Sequence, residues 1–241
     1  MHRLYVEKIT ETDGFFCLNG QNAHYLTNVL RQRAGDTVLL FDSSGQVFTG
    51  IITDVRAKEV LLKLTPQDAP KEEQSVDIVL CQGLLKGAKM DFVIEKSTEC
   101  GVSEIIPFYS SRCQLTETRK LFRWNKIAIE ASRQSQRVTV PLVRPPLNFS
   151  DLLLMIKEHV KSRAFIFYEK CGMRLKSEVL QSDIKTIYAI VGPEGGFSSD
   201  EISEAEESGA TSVYLGSRVL RAETASFASV LLLQFMFGDT G

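Results

Sequence analysis

IVGPEGGFSSDEISEAEESGATSVYLGSRVLRAETA, residues 190–225, sets two glycine-containing loops on either side of a short helix and a short strand. Apolar Ile187, Ala189, Ile190 and Val191 predict a buried strand that runs straight into Gly192, Pro193, Glu194, Gly195 and Gly196. Three glycines in those five positions let the backbone turn left-handed and approach a ligand closely. Ser198 with Glu201 three residues on is a capping-box pattern opening an acidic helix, and Gly209 closes it. Residues 211–215 predict a further strand, and a second loop follows at 216–221. A last helix begins near Ala222 with Glu223, Thr224 and Ala225 in its first turn. Loops that leave strand ends side by side are where open α/β sheets place ligands. The first loop is not a P-loop, since no Lys-Ser/Thr follows, and it lacks the dinucleotide spacing GxGxxG. Taken alone, Gly-Pro-Glu-Gly-Gly reads as an ordinary turn; its pairing with LGSRVLRAETA about twenty residues on is the specific signal.

A chain of 241 residues holds one large domain or two modest ones, with ample length to bury a core. Its 44% hydrophobic and 24% charged content are ordinary globular values. The net charge of −2 carries no global signature of nucleic-acid binding, so any basic surface is local. Five scattered cysteines (17, 81, 100, 113 and 171), never in a CxxC pair, argue against a disulfide framework and against zinc. They suit a reducing cytoplasm. The N-terminal residues have no signal-type apolar run, and the longest uncharged run, 224–238, is too short to span a bilayer. A soluble cytoplasmic protein without metal or membrane is expected.

Residues 1–66 predict short strands at 4–6, 15–18, 38–41, 47–53 and 60–64, with a hairpin turn at Ser43-Ser44-Gly45 and a short helix over 21–32. Strands at this spacing suggest a compact barrel, electrically neutral with seven basic and seven acidic residues. His24 is read as a satisfied structural histidine rather than a catalytic one. Arg3 and Arg31 are candidates for phosphate contact against the default of solvated surface arginine. Residues 65–75, with two prolines, three acids and no large apolar side chain, read as a linker. They divide the chain into domains at 1–70 and 76–241.

Beyond the linker the texture alternates strand and helix. A strand over 76–81 precedes a helix over 89–100, with Met90, Val93, Ile94, Ser97 and Cys100 on its inner face and Gly101 ending it. A strand over 105–108 completes a βαβ unit. Lys86 and Lys89 face either RNA or solvent, whereas Glu95 and Lys96 read as a solvated helix face. Residues 110–137 are the strongly basic region: Arg112, Arg119, Lys120, Arg123, Lys126, Arg133 and Arg137 against Glu117 and Glu130, a local excess of five. Such concentration beside a ligand loop is the electrostatic footprint of an RNA-binding face, and a solvated helix face is the plainer alternative. Phe122 and Trp124 offer base stacking, although a lone tryptophan in a helical pattern more often lies in the core. A short strand over 140–143, a helix over 152–160 capped by Ser150 with His159 at the surface near its end, and a buried strand over 164–168 follow. The polar segment 172–185 says little.

Four strings carry a resemblance: GPEGGF with LGSRVLRAETA, LLKGAKMDFVIEKSTECGVSEIIPF, RWNKIAIEASRQSQRVTVP and HYLTNVLRQRAGDTVLLFD. Together, over nearly the whole chain, they resemble the small-subunit (16S) ribosomal RNA uridine-N3 methyltransferase family of SPOUT, trefoil-knot methyltransferases. Cys100 stands where leucine is commoner in that family, a swap that keeps a small apolar side chain. The resemblance implies an α/β SPOUT domain with a parallel sheet, preceded by a small PUA-like RNA-binding β-barrel domain. It implies S-adenosylmethionine as methyl donor, 16S ribosomal RNA as partner and a homodimer. Carried onto this sequence, the cofactor pocket is formed by Tyr168 and Glu169 after one strand, by Val191, Gly192, Pro193, Gly195 and Gly196 after the next, and by Leu215, Gly216, Val219, Leu220, Thr224 and Ala225. Arg221 is the catalytic candidate, supported by Arg137 and Gln134, which lie with Ala131 and Ser135 in the signature of the basic helix. Always protonated, arginine acts here by stabilising charge as uracil N3 loses its proton, not as a base. Arg3, Arg31, Arg112, Arg119, Lys120, Arg123 and Arg133 are the RNA-contact candidates. Glu194 and Glu223 read as structural, the latter as a first-turn acid offsetting Arg218 and Arg221. Two other readings stay open: a SPOUT enzyme acting on tRNA at a ribose 2′-hydroxyl, which nucleoside analysis separates, and a non-catalytic ribosome-assembly protein, which lacks cofactor binding.

Overall fold

The computed structural model describes residues 1–42, 46–56, 58–67, 76–115, 117–169, 173–175 and 183–238. They form two compact units, Met1–Lys71 with Ser132–Val140, and Glu72–Ala131 with Pro141–Gly241.

The first unit contains β1 (His2–Val6), β2 (Phe15–Asn19), α1 (Gly20–His24), β3 (Thr37–Asp42), β4 (Val47–Val55) and β5 (Glu59–Gln67). The strands form one sheet in the order β1-β3-β4-β5-β2, parallel between β1 and β3 and antiparallel elsewhere. Alternation explains the burial: Val60, Leu62 and Leu64 of β5 point inward while Leu61 and Lys63 do not. All five strands, with Ala23 and Leu26, feed one apolar cluster, so the sheet curls around it. The expected barrel has no pairing between its end strands β1 and β2 among the described residues. The helix expected over 21–32 is α1 followed by a π-helical turn, Tyr25–Val29, and the chain leaves it through Arg31 at φ 54°. His24 is exposed at the end of α1 rather than buried and satisfied. The expected turn at 43–45 and linker residues 68–75 lie outside the described residues. Thr65, Pro66 and Gln67 are not linker: they extend β5 against Thr49, Phe48 and Val47. Pro66 is tolerated because pairing with β2 stops at Lys63, leaving one side of β5 free there. Ser132–Val140 joins this unit through Val138, which packs on Phe41 and Val47, and through the Arg137 carbonyl, which accepts from Arg3 Nη2 at 3.1 Å.

The second unit runs β6 (Asp77–Gly83), α2 (Lys89–Glu99), β7 (Glu104–Tyr109), α3 (Leu121–Gln134), β8 (Leu142–Val143), β9 (Leu147–Asn148), α4 (Phe149–Glu158), β10 (Ser162–Phe167), β11 (Met173–Arg174), β12 (Thr186–Val191), α5 (Ser199–Glu207), β13 (Thr211–Tyr214) and α6 (Ala222–Phe237). Residues 132–134 of α3 are counted with the first unit. The sheet order is β11-β13-β10-β12-β6-β7-β8, with β9 also on β7, and every pair is parallel. Parallel strands covered on both faces read as unbroken apolar runs, and all six residues of β12 are buried. Helix α4 begins at Phe149 behind Asn148, so Ser150 lies within its first turn and is not its cap. Asn148 is held extended (φ −72°, ψ 156°) by its pairing with Tyr109, which places the helix cap two residues earlier than the sequence suggests. His159 stands at the other end, where a ring nitrogen meets the Tyr188 hydroxyl at 2.7 Å. On α2, Met90, Val93, Ile94, Ser97 and Thr98 are buried, whereas Cys100 is half-buried at the C-cap, before Gly101 at φ 88°. Trp124 is 1% exposed and belongs to the core, while Phe122 is 73% exposed beneath Lys126. No helix among the described residues is long and apolar enough to cross a membrane.

Candidate cofactor cleft and RNA-facing residues

Strand β10 lies between β12 and β13, so the chain leaves three adjacent parallel strand ends at residues 168–169, 192–198 and 215–221. The two glycine loops are therefore separated by β10, not directly adjacent. Loop 192–198 is anchored from below by Phe197, 2% exposed, which stacks at 6.2 Å on Phe108 and leans on Phe149. Its turn closes with the Gly196 N–H donating to the Pro193 carbonyl at 2.9 Å, and Gly196 takes φ 66°. Gly195 is required by close approach: a Cβ there falls 2.9 Å from Arg112 Cβ and 3.0 Å from its carbonyl oxygen. The predicted capping box is present, with Ser198 Oγ accepting from the Glu201 N–H at 3.2 Å and Glu201 Oε2 from the Ser198 N–H at 2.8 Å. Buried Glu201 does more than the sequence suggests, because Oε1 also accepts from the Ser111 N–H at 2.7 Å. The basic segment after β7 is thus fastened to the start of α5.

The strand ends enclose a cleft of about 320 Å³, with a recess of about 60 Å³ beside it. From the β12 loop, Val191, Gly192, Pro193, Gly195 and Gly196 line the cleft, as expected. From the last loop Val219 and Leu220 line it with Ala225 of α6, and Leu215 and Gly216 line the recess. Tyr168 lines the recess, and Glu169 lines both spaces. Thr224 is the exception: it is exposed and lines neither. The cleft also takes Phe167, Phe197 and Ala222, whose apolar character in the sequence signalled only core.

Five charged residues line the cleft: Lys89, Glu169, Glu194, Arg221 and Glu223. Lys89, left between RNA and solvent by the sequence, pairs with Glu194 Oε1 at 3.0 Å. The same oxygen accepts from the Lys86 N–H at 3.2 Å. Partial burial pushes the Glu194 carboxyl upward, but these two donors outweigh it and hold the group below its ordinary range. Glu223 is different: its Oε2 is shielded from solvent and has no hydrogen-bond partner among the described residues. Arg221 is exposed at the N-cap of α6, its carbonyl accepting from the Ala225 N–H at 2.8 Å. Behind the cleft, fully buried Gln82 donates from Nε2 to the Gly83 carbonyl at 2.8 Å and the Gly192 carbonyl at 3.3 Å, and its Oε1 meets the Ser226 hydroxyl. One side chain on β6 thereby ties the β12 loop to α6, a role no local pattern reveals.

Among the RNA candidates of the second unit, exposed Arg112 donates from Nη1 to the Gly195 carbonyl at 3.3 Å. Lys120 Nζ donates to the Gly87 carbonyl at 3.1 Å, and Arg123 pairs with Asp91 at 2.7 Å. Arg119 is exposed with no hydrogen bond or ion pair among the described residues. In the first unit Arg31 is exposed, Arg3 is half-buried over Phe41, and Arg133 lies 5.3 Å from the centre of the Tyr25 ring. Gln134 is exposed there, whereas Arg137 is 8% exposed with its guanidinium 3.3 Å from the Thr139 hydroxyl.

Residues 72–234 match the family described as RNA methyltransferase domain, and residues 18–65 the RNA methyltransferase PUA domain. Ribosomal RNA small subunit methyltransferase E of Buchnera aphidicola subsp. Acyrthosiphon pisum is 34% identical over 98% of this chain and 94% of that protein. The protein of the same name from Bacillus subtilis is 27% identical over 98% of this chain and 96% of its own. Among solved structures, ribosomal RNA small subunit methyltransferase E from Neisseria gonorrhoeae bound to S-adenosyl methionine superposes with a TM-score of 0.90, at 32% identity and full coverage of both chains. A methyltransferase of Legionella pneumophila in complex with the bound cofactor gives 0.86 at 29% identity, covering 98% of each chain. The expected fold class, a parallel α/β methyltransferase domain that follows a PUA-like β-domain in the chain, is borne out. Sequence, domain composition and fold agree: the chain belongs to the family of the ribosomal RNA small subunit methyltransferase E proteins.

Proposed function

We propose that this chain transfers the methyl group of S-adenosylmethionine to small-subunit (16S) ribosomal RNA, at N3 of a uridine. The observation that carries this reading is the 320 Å³ cleft, built by both glycine loops at the ends of β12 and β13, the parallel strands on either side of β10. Its residues fit such a cofactor. Bare backbone at Gly192, Gly195 and Gly196 admits a flat ring and a sugar, and Val191, Leu220 and Phe167 supply apolar walls. S-adenosylmethionine supplies a methyl group already activated as a sulfonium, so the protein's task is chiefly positioning.

Arg221, exposed at the cleft, is our catalytic residue: its guanidinium neutralises the charge that gathers on the carbonyl oxygens flanking N3. Arg137 and Gln134 are proposed in support only, since burial and the bond to Thr139 give Arg137 a structural duty in its own unit. N3 lies on the Watson–Crick edge, so the target base is unpaired or displaced when it reacts. Arg31 and Arg119 contact phosphates, with Arg3, Arg112, Lys120, Arg123 and Arg133 as secondary contributors already engaged with protein groups. Helix α6 leaves loop 215–221 and packs on α2, β6 and β12, a return path that supports the trefoil knot expected of SPOUT-type chains. Its outer face carries Leu231 and Phe235, 39% and 64% exposed and one turn apart, which supports a homodimer in a soluble, cytoplasmic enzyme.

The test supplies labelled cofactor and small ribosomal subunits from cells lacking this protein, then identifies the labelled nucleoside. Labelled 3-methyluridine is expected. Arg221→Ala is expected to slow transfer roughly 10²–10³-fold while cofactor affinity stays nearly unchanged. A different labelled nucleoside refutes the N3 assignment, and an unslowed Arg221→Ala refutes the role of Arg221.

A further inference from the structure

Gln82 lies on β6 with no exposure to solvent, and both polar atoms of its amide are engaged. Nε2 donates to the Gly83 carbonyl at 2.8 Å and to the Gly192 carbonyl at 3.3 Å, while Oε1 accepts from the Ser226 hydroxyl. These partners fix which way the amide points, because a reversed amide would set its oxygen against two carbonyl oxygens. The Ser226 hydroxyl has a single proton and a second acceptor in reach, the Ala222 carbonyl at 2.7 Å. That carbonyl stands one turn earlier in α6, where the helix's own N–H ladder serves it. The hydroxyl proton is therefore the one that satisfies the buried Oε1.

The two ends of this bridge are two parts of the cleft. Gly192 belongs to its wall after β12, and the next residue, Pro193, already packs against the bare Cα of Gly83. Ser226 lies in the second turn of α6, whose start at Arg221 and Ala222 also lines the cleft. Gln82 itself lines neither the cleft nor the recess, so whatever it does to a ligand it does through these backbones. Apolar packing lets neighbours slide, whereas directional bonds to one planar group fix distance and orientation together. Resting on the reaction proposed above, we infer that Gln82 is a positioning residue for methyl transfer. From behind the cleft it holds the cofactor wall at Gly192 in register with the start of α6, where Arg221 stands.

The test measures two quantities on the full chain: S-adenosylmethionine affinity by titration calorimetry, and the single-turnover rate of labelled methyl transfer to small ribosomal subunits at saturating cofactor. Fluorescence of buried Trp124 establishes that each variant is folded at the assay temperature. Gln82→Met keeps the length of the side chain and removes every bond, so it is expected to weaken the cofactor about tenfold and to slow transfer about ten- to a hundredfold. Ser226→Ala removes only the arm to α6; it should leave affinity nearly unchanged and slow transfer about tenfold. Because both act through one bridge, the double variant should be no slower than Gln82→Met alone. Transfer at the wild-type rate in folded variants, with only the melting temperature lowered, would make Gln82 a structural brace and overturn the inference. Independent, multiplying losses in the double variant overturn it as well, since the two ends would then not be coupled. Should Gln82→Met fail to fold, Ser226→Ala decides alone, an unslowed rate being the refuting result. The affinity comparison needs no RNA: wild type that binds cofactor but labels no subunit refutes the reaction proposed above, whereas unweakened binding by Gln82→Met refutes the role of Gln82. Wild type that binds no cofactor refutes both.

Discussion

Gly83, at the C-terminal end of β6, is where the cofactor cleft is most sensitive to a single methyl group. A Cβ added there meets the Pro193 nitrogen at 2.5 Å, Pro193 Cδ at 2.6 Å and the Gly192 carbonyl carbon at 2.9 Å. Comfortable separation for such atoms is about 3.5 Å or more, so Gly83→Ala must displace the β12 loop by about 1 Å. No rotamer change relieves the contact, because two of the three atoms are backbone and the third is a proline ring. Overpacking of this kind costs roughly 1–3 kcal/mol, offset by about 0.4–1 kcal/mol from the stiffer unfolded chain. The net expectation is a loss of about 1–2 kcal/mol. Trp124, the single tryptophan and buried in the second unit, reports that loss by fluorescence in a urea titration. The functional effect exceeds the stability effect, because the displaced atoms are those of Gly192 and Pro193 in the cleft wall. A misplacement of about 1 Å costs on the order of 10²-fold in kcat/KM, accompanied by weaker binding of S-adenosylmethionine in calorimetry. Gly83→Ala with an unchanged midpoint and unchanged cofactor affinity would refute the claim that the loop is seated on Gly83.

Glu194 has a folded-state carboxyl held below its ordinary range, so the stability it adds is complete above that range and is lost as pH falls through it. Melting temperatures from about pH 6 to about pH 3 should therefore show wild type above Glu194→Gln at the upper end and converging with it at the lower end. Glu201→Ala removes the capping box and the tie to Ser111 together, and thermal unfolding should register a loss of roughly 2–4 kcal/mol. If α6 carries the proposed dimer interface, wild type sediments as a dimer, and Phe235→Asp, which places a charge on its exposed apolar stripe, sediments as a monomer in the same velocity experiment.

Local patterns made much of the second unit legible. The capping box at Ser198, the left-handed glycines at 196, 209 and 216, and the apolar runs of β6, β10 and β12 each depend on residues within a few positions of one another. The start of α4 was misread because pairing of Asn148 with distant Tyr109 competes with the local preference of Ser150 for a cap. The extent of β5 was misread for a similar reason, since a proline usually signals a linker and only the open side of the strand makes it acceptable. Candidate basic residues were legible as a group, but not which of them are spent on protein partners, as Arg123 is on Asp91.

By itself the sequence determined that strands alternate with helices after residue 76, that two glycine-containing loops follow strands near the C-terminal end, and that the chain resembles an RNA methyltransferase, because these are written in neighbouring residues. Tertiary structure alone decided that β10 separates the two loops, that Gly83 must be bare, and that Gln82 joins the Gly192 loop to Ser226. Those facts rest on contacts between residues from about twenty to more than a hundred positions apart, and no local periodicity encodes them.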